Sequence, residues 1–97
     1  MNLTGKQRRY LRSIAHNLKP VFQIGKDGVN DNLISQIDDY LEIHEILKVS
    51  ILQNSPEDKN DVAEKLALGT HAHVAQIIGK TIVLYRESKE NKEIKLP

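Results

Sequence analysis

The chain contains no cysteine. That excludes disulfides, thiolate metal sites and a cysteine nucleophile, and it fits a reducing cytoplasm. No apolar run approaches the roughly 18 residues of a membrane-spanning helix, so no membrane partner is expected. The N-terminal stretch MNLTGKQRRYLRS carries charges and no apolar h-region, so it does not read as a secretory signal. Aromatic residues are scarce: Tyr10, Phe22, Tyr40 and Tyr85. Tyr10 and Tyr40 fall on apolar helical stripes, which argues against an aromatic platform for stacking bases. Acidic residues are missing altogether before position 27.

Motifs for enzyme chemistry are missing too. Neither a G-x-S-x-G nucleophile elbow nor a phosphate-binding P-loop occurs. His44-Glu45 begins like the zinc motif H-E-x-x-H, but position 48 is lysine. His71 and His73 could share one face of a strand, yet no third ligand lies near in sequence. Asp38, Asp39 and Glu42 sit together on the polar side of a helix and would need burial to work as acids or bases. The sequence therefore assigns no catalytic residue, metal, cofactor or small-molecule substrate.

What is present is an uneven distribution of charge. Residues 1–26 hold Lys6, Arg8, Arg9, Arg12, Lys19 and Lys26. Residues 27–64 hold ten acids against Lys48 and Lys59, and the remainder is again basic. The net charge of +1 conceals this asymmetry. It predicts a basic face for a polyanion and an acidic face that is solvated.

The hydrophobic pattern predicts seven elements in one domain of 97 residues. Thr4 and Gln7 fit a capping box, and Tyr10, Leu11, Ile14, Ala15 and Leu18 form the first helical stripe. Arg8, Arg9, Arg12 and His16 fall opposite it. Pro20 stops the helix. Val21–Ile24 reads as a buried strand, and Asn30 caps a second helix with an acidic outer side. Ile46–Leu52 is a strand with Leu47, Val49 and Ile51 on one face and Lys48 and Ser50 on the other. A third helix follows, with Ser55 or Asp58 as cap, Pro56 in its first turn and Gly69 at its end. Val74–Ile78 and Thr81–Arg86 form a hairpin about Gly79-Lys80, suited to a type II′ turn. The stretch from about 88 is charged and expected to be loosely ordered. The order α-β-α-β-α-β-β implies an α/β two-layer sandwich with a mixed four-stranded sheet.

Gly25-Lys26-Asp27-Gly28 joins the first strand to the second helix and reads G-x-x-G. Backbone N–H groups at such a junction favour phosphate. Glycine permits close approach of a sugar-phosphate backbone, and Lys26 adds a cation. KH modules clamp nucleic acid with a G-x-x-G loop. Lys19 lies close in sequence, and Lys80 joins the set if its turn projects the same way.

LRSIAHNLKPVFQIGKDGV, then IHEILKVSIL, then VAQIIGKTIVLYRES together resemble a YhbY-type CRM domain (chloroplast RNA splicing and ribosome maturation) in its stand-alone bacterial form. The resemblance covers about residues 2–96. It implies an RNA-binding fold similar to the C-terminal domain of translation initiation factor 3, and association with precursor large ribosomal subunits. By position it implies RNA contacts from Gly25, Lys26, Asp27 and Gly28 and from Lys6, Arg8, Arg9 and Arg12. The usual small pair before the third strand is altered here to His71-Ala72. The expected function is assistance of ribosome assembly by binding ribosomal RNA without catalysis. The alternatives are a protein–protein adaptor using the acidic second helix and, more distantly, a small hydrolase.

Overall fold

Thr4 starts the fold as the sequence suggests. In the computed structural model, which describes residues 2–97, its hydroxyl accepts the Gln7 N–H at 3.1 Å. The Gln7 side-chain oxygen accepts the Thr4 N–H at 3.0 Å, completing a capping box. Helix α1 runs Gly5–Ala15, followed by strand β1 (Phe22–Ile24), helix α2 (Asp31–His44) and strand β2 (Ile46–Ile51). Helix α3 (Lys59–Thr70) and the hairpin of β3 (His73–Ile78) and β4 (Thr81–Tyr85) complete it.

The sheet has the order β1-β2-β4-β3. β1 lies parallel to β2, and both β2–β4 and β3–β4 are antiparallel. The α/β class, the element order and the mixed four-stranded sheet are as expected. The layering is not. Alternation along β2 and β4 creates two apolar faces. Leu47, Val49, Ile51, Ile82 and Leu84 pack against Ile37 and Leu41 of α2 and Val62 and Leu66 of α3. Ile46, Val83 and Tyr85 point the other way and pack against Leu11 and Ala15 of α1. Helices therefore cover both faces, and the expected two layers are three.

Two further expectations shift for local reasons. Gly69 does not end α3 but lies inside it, where a Cβ would meet Ile34 at 2.8–2.9 Å. The glycine lets α3 approach α2 closely. The left-handed residue that closes α3 is His71, at φ 57°, within the altered pair. Asp58 is the cap of α3 and accepts the Asn60 N–H at 3.1 Å, so Pro56 precedes the helix.

The stretch from 88 contains no helix or strand, yet it is tied down rather than loose. Glu45, at φ 67° and 1% exposed, closes α2 and accepts N–H bonds from Ser88, Glu93 and Ile94 at 2.7–2.8 Å. Glu42 accepts from the Ser88 hydroxyl and from the Lys89 and Glu90 N–H groups. Ile94 and Leu96 then pack on the α1 cluster.

These bonds make the tail acid-sensitive. The Ser88 hydroxyl and the two backbone donors lower the Glu42 pKa from 4.5 to about 2. At Glu45 burial acts upward, but three backbone donors outweigh it and the net direction is down. A lowered carboxyl pKa stabilises above the unfolded value, and that stability is lost as pH falls toward the folded value. Residues 88–90 are therefore expected to detach as pH falls from about 4.5 toward 2, and the lowered Glu45 carboxyl makes the hold on residues 93–94 acid-sensitive in the same direction. Amide signals of Ser88, Lys89 and Glu90 followed through an acid titration check this. Signals that move only with global unfolding would contradict it.

Candidate nucleic-acid interface

Parallel pairing sets Ile24 beside Ile51, and the chain leaves the sheet at Gly25. The Gly28 N–H donates to the Gly25 carbonyl at 3.0 Å, closing a turn with exposed Lys26 and Asp27 at its centre. Only Gly28 in this loop has a positive φ, at 65°, as suits the residue after a type I turn. Glu57 braces the loop from behind. Its carboxylate accepts the Val29 N–H at 3.0 Å and pairs with Lys65 of α3. Those two contacts, Lys65 first, hold its pKa below the ordinary carboxylate value. Asn30 caps α2 by accepting the Leu33 N–H at 2.9 Å.

Part of the expected anion site is thus occupied from within. Among the described residues, the N–H groups of Lys26 and Asp27 have no protein acceptor. Beside them lies a groove of about 510 Å³ lined mainly by amide side chains, among them Gln23, Asn30, Asn32, Gln36 and Asn54.

The Gly79-Lys80 turn projects at the same end of the sheet. Gly79 has φ 55° and meets nothing where a Cβ would stand, as a type II′ turn permits. The Lys80 carbonyl accepts the Ile51 N–H at 2.8 Å, and Ile51 is the partner of Ile24. Lys26 and Lys80, both exposed, therefore flank one sheet end.

α1 distributes its bases unequally. Lys6, Arg9 and Arg12 are exposed. Arg8, expected on the outer side, is partly buried and donates to the Val74 carbonyl, at the irregular step of β3. Lys19 is exposed in the connection to β1. Sequence reasoning did not bring Lys48 to this helix. Lys48 donates to the Leu18 carbonyl at 2.9 Å, and with Arg12, Ser13, His16, Gln76 and Ile78 it lines a groove of about 380 Å³. Alternation placed Lys48 on the correct face of its strand. That α1 would meet it there was not readable from that segment.

The acidic side of α2 is engaged internally. Asp38 pairs with Arg86, whose guanidinium also donates to the carbonyls of Thr70 at 2.7 Å and Asp38 at 3.0 Å. Glu42 holds the tail. The two histidines part company: exposed His71 closes α3, whereas His73 stacks on Tyr85 with ring centroids 6.4 Å apart. Among the described residues no cluster of three or more His, Cys, Asp or Glu side chains could hold a metal ion. No described helix is long and apolar enough to cross a membrane.

Comparison with known proteins identifies the family. The family model described as the CRS1 / YhbY (CRM) domain matches residues 3–86. The chain is 64% identical over 95 residues to the probable RNA-binding protein YqeI of Bacillus subtilis, covering 98% of this chain and 99% of the relative. It is 36% identical over 95 residues to an RNA-binding protein of Haemophilus influenzae, covering 98% and 95%. The solution structure of a hypothetical protein from Staphylococcus aureus superimposes with a TM-score of 0.82 at 60% identity, covering 99% of this chain and 100% of that one.

Proposed function

This chain belongs to the CRS1/YhbY (CRM) domain family, and from that membership we propose that it is a cytoplasmic RNA-binding protein that assists assembly of the large ribosomal subunit. It acts by binding, without catalysis, and its partner is ribosomal RNA of the precursor subunit. The observation that carries the reading is the sheet end where exposed Lys26 and Lys80 flank loop N–H groups that have no protein acceptor. The exposed Arg9, Arg12, Lys6 and Lys19 extend the positive surface. Gly25, Asp27 and Gly28 serve as backbone contacts, and Arg8 anchors α1. Asp38 and Glu42 are committed to Arg86 and the tail, which weighs against an adaptor working through the acidic helix.

RNA affinity measured against salt concentration tests the proposal. A polyanion binder shows a steep slope, and Lys26→Ala/Lys80→Ala should flatten it by about 2, evenly across RNA sequences. A flat wild-type slope defeats the reading. Crosslinking in cells followed by sequencing tests the partner. Recovery dominated by RNA other than precursor large-subunit RNA defeats that half alone.

A further inference from the structure

Four residues form one row across all four strands on the α1 side of the sheet. The registers pair Gln23 of β1 with Ser50 of β2, Ser50 with Thr81 of β4, and Thr81 with Ile78 of β3. Their side follows from the neighbours: Ile24, Ile51, Ile82 and Ile77 belong to the opposite cluster. α1 covers the lower rows, at Ile46, Ala75, Val83 and Tyr85, and leaves this one open. Gln23 and Ile78 are exposed, and Ser50 and Thr81 are half-buried.

A second observation gives the row a direction. Gln23 at one end belongs to the groove beside the G-x-x-G loop. Ile78 at the other end belongs to the groove where Arg12, His16 and Lys48 converge. The row is thus the floor between two grooves with cationic side chains. It spans three inter-strand spacings, about 14 Å. Four-stranded sheets carry two or three nucleotides of a single strand in other RNA binders, there on aromatic rings. Here the floor offers an amide and two hydroxyls, groups suited to hydrogen-bonding ribose and base edges and unable to stack on them.

We propose that a single-stranded RNA segment crosses the sheet along Gln23, Ser50 and Thr81, from the G-x-x-G loop to a phosphate site formed by Arg12, His16 and Lys48. The Ser50 and Thr81 hydroxyls contact ribose 2′-hydroxyls and so distinguish RNA from DNA. Lys48 keeps donors for phosphate beyond the one bonded to Leu18. The proposal rests on the RNA-binding reading and adds a path and a means of discrimination to it.

The test uses single-stranded RNA and DNA of the same sequence, with the full chain. Wild type should bind RNA more tightly than DNA. Ser50→Ala/Thr81→Val should lose about tenfold in RNA affinity, from two lost hydrogen bonds, with DNA affinity and the salt slope unchanged. Equal loss for RNA and DNA, or no loss, overturns the path while leaving a steep wild-type slope to support RNA binding. Amide signals of wild type guard against a misfolded variant. Gln23, Ser50 and Thr81 should shift on addition of the single strand, and their indifference overturns the proposal. Preference for an RNA duplex over the single strand also overturns it.

Discussion

Gly28→Ala is expected to destabilise the protein by about 2–4 kcal/mol, through its backbone and not through any ligand. A left-handed conformation costs a residue with a Cβ about 1–2 kcal/mol, and Gly28 sits at φ 65°. The added Cβ would also stand 2.7 Å from the Glu57 carboxylate. The carboxylate sits at the end of a flexible side chain, so the cost of relieving this contact is the hydrogen bond it gives up, about 1–3 kcal/mol for a donor left without a partner. Moving Glu57 aside would strip the Val29 N–H of its acceptor. Gly28→Asp adds like charge against Glu57 and is worse still. A thermal melt of Gly28→Ala should fall by roughly 10–20 °C. An unchanged melt would show that Glu57 does not brace the loop. Gly25→Ala is the cleaner probe of RNA contact. Its Cβ would meet Asn54 and Leu52 at 3.5–3.6 Å, an ordinary contact, so stability should hold while close approach of a phosphate is obstructed.

The two glycines show what sequence reasoning reaches and where it stops. Both read as parts of one G-x-x-G loop, and the turn between them was legible from local chemistry. The reason for Gly28 was not, because Glu57 lies nearly thirty residues away and its approach depends on how α3 docks. Capping behaves similarly. Thr4, Gln7 and Asn30 act within three residues and were readable. Gly69 looked like a helix terminator because its true constraint, Ile34, belongs to another helix.

The same limit governs layers and tail. Alternation in β2 identified two faces, one apolar and one bearing Lys48 and Ser50. It could not say that α1 covers only part of the second. Polar composition made residues after 88 look loose, but such a segment becomes ordered when carboxylates fixed by the fold accept its N–H groups. Glu42 and Glu45 supply those acceptors from the end of α2. In sequence Glu42 read as part of a solvated acidic helix face, and Glu45 only as part of an incomplete zinc motif. Charge counted along the chain predicts partners poorly when folding spends the charges internally.

The arginines of α1 separate on that principle. Arg9→Gln/Arg12→Gln removes two exposed cations and should leave stability within about 0.5 kcal/mol per site. If both contact phosphate, the double variant flattens the salt slope of RNA binding by about 1.5–2 and weakens affinity roughly 10- to 100-fold at moderate salt. Arg8→Gln should do the reverse. Its guanidinium donates to the Val74 carbonyl where β3 is irregular, a partly buried bond between α1 and the sheet. Losing a charged hydrogen bond there costs about 1.5–3 kcal/mol. Arg8→Gln should therefore melt earlier than wild type yet keep the wild-type salt slope at temperatures where it is folded. Denaturant unfolding and salt-dependent RNA binding on the two variants read both quantities. A flattened slope for Arg8→Gln with unchanged stability would return Arg8 to the RNA surface and leave the α1–β3 contact without energetic weight.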